Sequence, residues 1–334
     1  MNATQAPRTG ETMRAVVQDR YGAAEVLELR EIERPTAREG EVLVRVRAAG
    51  LDRGVWHLMA GLPYLVRLGF GLRRPKNPVP GMDLAGVVEA VGAGVTGLAP
   101  GDEVFGATDG SYAEFAVVKA DRLAPKPARL SFEQAAAVPV SACAALHALR
   151  DVGEVQAGQR VLVIGASGGV GSFAVQLAKA FGAHVTGVCS TAKVDLVRSL
   201  GADHVIDYTT EDISTGGVRY DLVIDIAGNR SLGALRRVLT PRGTLVIVGG
   251  EQGDRWIGGT DRQLRAMALS RFVSQELRTF ISSERREDLL VLRDLIDAGK
   301  VTPAVERTFP LERASEAMAW LEAGRARGKL VLTI

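Results

Sequence analysis

The sequence predicts an α/β protein, a β-rich N-terminal part followed by a doubly wound parallel sheet. Three observations predict it. Short alternating runs with Gly and Pro punctuation fill the stretch from Arg14 to Val118. From about Ser131 onward, continuous apolar strands alternate with helical patterns. One of those strands runs through a glycine-rich turn straight into a helix.

Residues 1–12 read as a loose polar tail. Arg14-Ala-Val-Val-Gln and Glu41-Val-Leu-Val-Arg-Val-Arg then alternate apolar and polar residues, the period of a half-buried strand. Gly86 to Gly92, Gly101 to Gly106 and Tyr112 to Val118 are similar short pieces. Ser131-Phe-Glu-Gln has the form of an N-cap and a polar first helical turn. Arg160-Val-Leu-Val-Ile is a buried strand and Val170 to Phe181 a helix. His184-Val-Thr-Gly-Val-Cys is the next strand and Ala192 to Leu200 the next helix. Further strands start at His204, Leu222 and Thr244. Strands of this kind, separated by helices, form a parallel sheet covered on both faces. A helical pattern over Arg286 to Asp297, an amphipathic segment over Leu311 to Leu321 and a strand from Lys329 close the chain.

Composition removes several classes. At 334 residues, with 46% apolar and 24% charged residues, the chain can bury a core, so disorder is not its main state. Lys+Arg (41) and Asp+Glu (39) nearly cancel to +2, far from the basicity of a general nucleic-acid binder. The only cysteines, Cys143 and Cys189, exclude a disulfide framework and a four-cysteine zinc site. Met1 to Thr12 lack the apolar core of a secretory segment, and the run Ala135 to Leu149 is broken by Pro139 and too short to span a bilayer. A soluble, cytoplasmic protein with neither nucleic acid nor membrane as partner is expected.

The strongest chemical signal is Val161-Leu-Val-Ile-Gly165-Ala-Ser-Gly168-Gly169-Val-Gly171, followed by a helix. Glycines let the backbone turn tightly and approach a pyrophosphate, and the helix N-terminus offers unpaired N–H groups and partial positive charge. Ser167, Gly168, Gly169 and Val170 are therefore expected to hold a dinucleotide. After the second strand, an NAD site usually places a carboxylate for the ribose 2′-OH. Here the chain reads Ser190-Thr-Ala-Lys193 instead. Hydroxyls and a lysine suit a 2′-phosphate, so NADP(H) is expected, held by Ser190 and Lys193.

From about Met13 to Ile334 the chain resembles the medium-chain dehydrogenase/reductase superfamily, most closely its zinc-independent quinone oxidoreductase and enoyl-reductase branch. Pro80-Gly-Met-Asp83-Leu-Ala-Gly-Val-Val, Gly101-Asp-Glu-Val-Phe-Gly, the glycine-rich turn, Leu200 to Tyr208 and Gly328-Lys329 carry the resemblance. It implies a GroES-like catalytic domain over 13–133 and 286–334, with a Rossmann domain over 134–285 inserted and the active site between them. It also implies a homodimer. The places where zinc alcohol dehydrogenases carry Cys and His-Glu hold Gly50-Leu51-Asp52 and Gly81-Met82-Asp83, so no metal site is expected. Hydride addition to an already activated acceptor needs less help than alcohol oxidation, which points to an apolar quinone or α,β-unsaturated carbonyl as substrate.

The segment Asp52 to Tyr64 resembles a family loop beside the nicotinamide, with Asp52 where relatives have Asn, Val55 where they have Asp, and Pro63 inserted before the tyrosine. Tyr64 is the expected proton donor or orienter, Asp52 a hydrogen-bond acceptor or a loop residue bonding its own backbone, and loop His57 a proton relay. Trp56 and Cys143 are expected to pack, and Ala144 replaces a family threonine. Residues 65–77 are expected to be either a lid or a self-packed surface loop. By resemblance Tyr208, Val248, Gly249, Phe272 and Val273 are expected at the cofactor. Lys329 is expected either to reach its phosphates or to sit on the final strand. The expected reaction is hydride transfer from NADPH. Two other readings stay open: a cofactor-binding redox-sensing or interaction protein, and an NADP-dependent alcohol dehydrogenase.

Overall fold

The computed structural model describes residues 10–250 and 255–334. Most of the expected tail, residues 1–9, lies outside the described residues, and Thr12 already belongs to the first strand. β1 (Thr12–Val17) pairs antiparallel with β2 (Glu28–Glu33). After β3 (Glu41–Leu51) come two helices, α1 (Arg53–Ala60) and the short α2 (Arg67–Phe70). β4 (Asp83–Val91), β5 (Glu103–Ala107), β6 (Phe115–Lys119) and β7 (Leu123–Pro125) follow. Then α3 (Phe132–Ala136) and α4 (Pro139–Leu146) lead into the second half.

That half contains β8 (Arg160–Ile164), α5 (Gly169–Ala180), β9 (His184–Cys189), α6 (Val194–Ser199) and β10 (His204–Asp207). It continues with β11 (Tyr220–Asp225), α7 (Leu232–Val238), β12 (Leu239–Ile247), α8 (Thr260–Ser270) and β13 (Glu276–Thr279). α9 (Arg286–Asp297), β14 (Val305–Pro310), α10 (Ala314–Glu322) and β15 (Lys329–Thr333) end the chain.

Two sheets position the site. The first has the order β10-β9-β8-β11-β12-β13, and every pair in it is parallel. Its order reverses between β8 and β11, so a crevice opens beyond the strand ends there. The second sheet has the order β14-β15-β3-β4-β5-β7, with β6 on β3. Its long strand β3 pairs with β4 along most of its length and with β15 through Ala48–Leu51. The last strand of the chain thus lies beside residues 48–51, and everything just beyond Leu51 meets the C-terminal strand.

Local signals explain the elements that frame the crevice. Ser131 and Gln134 form a reciprocal capping box on α3, satisfying two orphan N–H groups. Pro139 opens α4, where its missing N–H costs nothing. α4 packs on α5, and Leu146, Phe173, Leu177, Leu289 and Leu292 share one buried cluster. The segment 53–60, read as loop from the sequence, is helix α1. Val55, Leu58 and Met59 sit at helical spacing, and Gly61 stops the helix at φ 62°.

Candidate active site

The glycine-rich turn leaves β8 and delivers α5 with its N-terminus toward the crevice. Helix N-termini have N–H groups without intrahelical partners, so this end is an anion site. Gly171 makes the approach possible. A Cβ there would lie 2.0 Å from the Gly165 carbonyl oxygen and 2.8 Å from Ala166 Cα. At Gly168, on the open side, a Cβ would meet only that oxygen, at 3.5 Å.

A cleft of about 660 Å³ runs along this turn, lined by Ser167, Gly168, Gly169 and Val170 in its middle. One end holds Ser190, Lys193, Tyr208 and Arg230; Asp52, Gly54 and Ser141 line the cleft too. The volume is in the range of small-molecule sites. Lys193 is anchored across the cleft, its Nζ donating to Ala326 O at 2.8 Å and Gly324 O at 3.4 Å. Burial pushes its pKa down, with Glu306 opposing. An ammonium has three donors, so one is left for a ligand. Asp52 is the one carboxylate among the described residues lining the cleft. The residue set fits a dinucleotide: open backbone at the turn, hydroxyls and an ammonium at one end, no side chain filling the cradle.

A second cavity of about 640 Å³ adjoins the cleft at Gly54, which lines both. Trp56, His57, Leu62, Phe70 and Met82 wall one side, and Gly250, Ile257 and Ser282 to Glu284 the other. The indole N–H of Trp56 is buried without an acceptor. His57 lies on α1, not in a loop, and its Nδ1 is 2.9 Å from Leu62 O, which fixes the proton on that nitrogen.

Beneath the junction lies a buried charge cluster. Lys329 Nζ on β15 donates to Asp52 Oδ1 at 2.5 Å and to Asp83 Oδ2 at 2.9 Å. Ser141 Oγ donates to Asp52 Oδ1 at 2.8 Å. The first turn of α4 contributes Val140 N–H, 2.7 Å from Asp83 Oδ1. Burial and the neighbouring Asp52 charge push the Asp83 carboxyl well above the usual range. Burial pushes Asp52 up too, but Lys329 outweighs it, helped by hydrogen bonds from Asp83 and Ser141, so Asp52 ends below the usual range. For Lys329, burial pulls down while the two carboxylates raise it further. The consistent reading is one proton held on Asp83 and shared by hydrogen bond with Asp52, which leaves the cluster neutral.

The structure gathers most of the expected residues and displaces the rest. Ser167, Gly168, Gly169, Val170, Ser190, Lys193, Tyr208 and Asp52 all line the cleft. Lys329 does not reach the phosphates; it is 1% exposed and held behind the cleft by two carboxylates. Asp52 adds no net charge beside the cofactor, because Lys329 balances it. Tyr64 lines neither cavity; its ring packs edge-on against Trp256 and under Arg67. Val248 and Gly249 end against the Asp225 carbonyl, and their neighbour Gly250 is the residue at the cavity. Phe272 is 84% exposed, and neither it nor Val273 lines a cavity. Ser282, Ser283 and Glu284, a few residues on, take that place, because the short strand β13 intervenes. The burial of Cys143 raises its thiol pKa well above normal, as fits a packing residue. Within residues 65–77, Val66 and Phe70 wall the second cavity, and Lys76 Nζ bonds back to Gly69 O at 2.7 Å.

Among the described residues no group of three or more His, Cys, Asp or Glu is placed to hold a metal ion. No helix among them is long and apolar enough to cross a membrane.

Residues 38–128 match the alcohol dehydrogenase GroES-like domain family and residues 200–332 the zinc-binding dehydrogenase family. The chain is 33% identical over 378 residues to the mitochondrial NAD(P)H oxidoreductase RTN4IP1 of Bos taurus, covering 99% of this chain and 91% of that one. It is 34% identical over 351 residues to the chloroplastic NADPH-dependent alkenal/one oxidoreductase of Arabidopsis thaliana, with coverages of 99% and 82%. The quinone oxidoreductase of Coxiella burnetii superposes with a TM-score of 0.85 at 29% identity, over 97% of this chain and all (100%) of that one.

Proposed function

Because the chain belongs to the medium-chain dehydrogenase/reductase superfamily, in its quinone oxidoreductase and alkenal/one reductase branch, we propose that it reduces an apolar quinone or α,β-unsaturated carbonyl with NADPH. It is an NAD(P)H-dependent oxidoreductase of that type; the preference for NADPH and the acceptor are the proposal. One observation carries it: the dinucleotide cleft, which Asp52 lines, meets at Gly54 a second cavity with apolar side chains along one wall.

Bound in the cleft, the reduced nicotinamide supplies a hydride. The protein's part is to hold, orient and protonate. The α5 N-terminus takes the pyrophosphate. Ser190, Lys193 and Tyr208 take the 2′-phosphate. Trp56, Leu62, Phe70 and Met82 exclude water from the acceptor. Ser141 Oγ connects the cleft to Asp52 and so to the proton on Asp83, a relay better placed than Tyr64. Relatives of this branch supply the chemistry expected, as their names state.

The assay is loss of reduced-nicotinamide absorbance with quinones and enones. NADPH should exceed NADH, and Lys193→Ala should cut the NADPH-to-NADH ratio of kcat/KM by about 10- to 100-fold, the worth of one charge-assisted hydrogen bond. A ratio unchanged by the substitution removes Lys193 from the phosphate site. No turnover on any acceptor, with NADPH still bound, overturns the reductase reading.

A homodimer joined along the parallel sheet is part of the proposal. β13 is its edge strand, and Leu264, Met267, Phe272 and Ile281 stand exposed around it. Light scattering should give twice the 35.5 kDa chain mass. A monomer at micromolar concentration would sink this element alone.

A further inference from the structure

A string of three side chains runs back from the wall of the second cavity. Ser282, half-buried, is one of the residues lining that cavity. Its Oγ is 2.9 Å from His147 Nδ1. At the other edge of the ring, His147 Nε2 is 3.0 Å from Asp288 Oδ2. His147 and Asp288 do not line the cavity, so Ser282 is the end of the string that meets it. Ser282 follows β13, Asp288 lies in the first turn of α9, and His147 stands where α4 passes into a π-helical turn over His147–Val152. Such turns are rare and frequently occur at functional sites.

The string has a direction. Asp288 Oδ1 also accepts from Arg150 Nη2 at 2.7 Å. Burial pushes the Asp288 carboxyl up, but the hydrogen bonds from His147 and Arg150 outweigh it, so the group sits below the usual range and is ionised. An ionised carboxylate only accepts, so His147 Nε2 carries a proton. Nδ1 then accepts from the Ser282 hydroxyl when the ring is neutral and donates to it when the ring is charged. In the charged state the hydroxyl keeps its own proton for a ligand. The bond to His147 is the one bond this hydroxyl makes among the described residues, and a hydroxyl can make more.

We propose that Ser282 is a catalytic residue: its hydroxyl, backed by a charged His147 and by Asp288, donates a hydrogen bond to the acceptor's carbonyl oxygen as that oxygen gains charge. His147 and Asp288 are positioning residues. This rests on the reductase reading and deepens it, because that reading leaves the acceptor's oxygen without a donor. Hydride addition to an enone makes a C–H bond at the β-carbon and moves the π pair of the C=C bond toward the carbonyl, whose oxygen takes the charge of an enolate. The α-carbon then takes a proton and the carbonyl reforms. A donor of this kind holds the enolate more strongly than the neutral carbonyl, so it lowers the barrier rather than tightening substrate binding. The relay through Ser141 supplies the proton from the cofactor cleft, while Ser282 serves the oxygen from the cavity wall.

The test has a kinetic and a binding arm. Reduction of vinyl methyl ketone by NADPH is compared across variants. Ser282→Ala should lower kcat about 100-fold, as loss of one oxyanion donor does, with KM within about threefold of wild type. Ser282→Thr, which keeps the hydroxyl, should recover most of that loss. His147→Phe should lower kcat about as much as Ser282→Ala, and the double variant no further than either, because groups that act as a unit are not additive. The binding arm uses 4-nitrophenol, whose phenolate places charge on one oxygen, with the NADP+-loaded protein near pH 7. In the wild type the bound phenolate-to-phenol ratio, read by absorbance, should exceed the ratio in free solution about tenfold or more; in Ser282→Ala it should match free solution. A merely structural tie would move the melting temperature and leave the phenolate ratio where it was. A Ser282→Ala that keeps its kcat, a wild type with no preference for the phenolate, or a preference that survives Ser282→Ala overturns the proposal. So does a kcat loss produced by Glu284→Gln and not by Ser282→Ala, which assigns the role to that neighbouring carboxyl on the same wall. If no acceptor is reduced but the wild type still selects the phenolate through Ser282, the donor stands and the reductase reading falls.

Discussion

Lys329→Met should destabilise the fold by about 3–5 kcal/mol, the usual result of removing one partner from a buried ion pair. For a chain of this size the melting temperature should fall on the order of 10 °C. Met matches the length and the apolar stem of lysine, so the loss is charge and hydrogen bonding, not volume. What remains is two buried carboxyls, with Val140 N–H on Asp83 and Ser141 on Asp52 as donors. The deficit should depend on pH in a definite sense. Asp83, raised in the folded state, contributes stability that is full below the unfolded carboxylate pKa and lost as pH rises through its folded value. Asp52, lowered in the wild type, contributes stability that is present above the unfolded pKa and lost as pH falls through its folded value. Without the ammonium, Asp52 loses its main cause of lowering and joins Asp83. The variant should therefore lie close to wild type near pH 4 and fall away as pH rises toward 8. The other groups facing the cluster do not reverse this. Tyr112, raised by burial and by both carboxylates, stays neutral throughout the range, and Glu284 is raised chiefly by burial and further by Asp52, with Arg122 and His147 opposing. Thermal melts at several pH values check it. Asp52→Asn in the same chain should recover part of the loss at neutral pH. A Lys329→Met melt equal to wild type at pH 8 would mean the cluster is not the neutral unit described here.

This cluster also marks where sequence reasoning stops. Lys329 lies 277 residues from Asp52 and 246 from Asp83. They meet because β15 inserts beside β3, an antiparallel pairing that no local pattern encodes. Read singly, a lysine after a glycine suggests a phosphate ligand, and a loop aspartate suggests one that bonds its own backbone. Asp52 does occupy the N-cap of α1, yet its side chain makes no cap bond there, because the lysine and Ser141 claim it. Where the determinants are local, the sequence is enough. Ser131 and Gln134 form the expected box, and the strand–glycine–helix unit folds as its residues require. Alternation of continuous apolar strands with helices likewise led directly to the all-parallel sheet.

Two misreadings had signals that could have corrected them. Val55, Leu58 and Met59 repeat at helical spacing before a glycine, but Gly54 inside the run weakens the pattern. β13 is a short edge strand reading Glu-Leu-Arg-Thr, with one buried residue. It lacks the apolar run of its neighbours, so the cavity segment after it was sought several residues too early, at Phe272.

Gly171→Val should abolish high-affinity NADPH binding, with affinity falling about 100-fold or more, the scale of effect that a misplacement near 1 Å produces at a preorganised site. The substituted Cβ would stand 2.0 Å from Gly165 O and 2.8 Å from both Gly165 C and Ala166 Cα. These are backbone atoms of the turn itself, not the end of a side chain that could swing away. Either the first turn of α5 lifts off the strand or the turn opens, and in both cases the N–H groups no longer converge on the pyrophosphate. Overpacking of this kind also costs about 1–3 kcal/mol of stability. Gly168→Ala is the matching control of geometry. Its Cβ would meet only Gly165 O, at an ordinary 3.5 Å, and its φ of −85° suits any residue. That variant should keep its melt within about 1 kcal/mol of wild type, and lose affinity only to the extent that a methyl group blocks the phosphate's approach. Calorimetric titration of NADPH into both variants, with melts alongside, separates helix placement from backbone access. Should Gly171→Val bind NADPH as tightly as wild type, the dinucleotide does not sit on the α5 N-terminus, and the cleft must be assigned to another ligand.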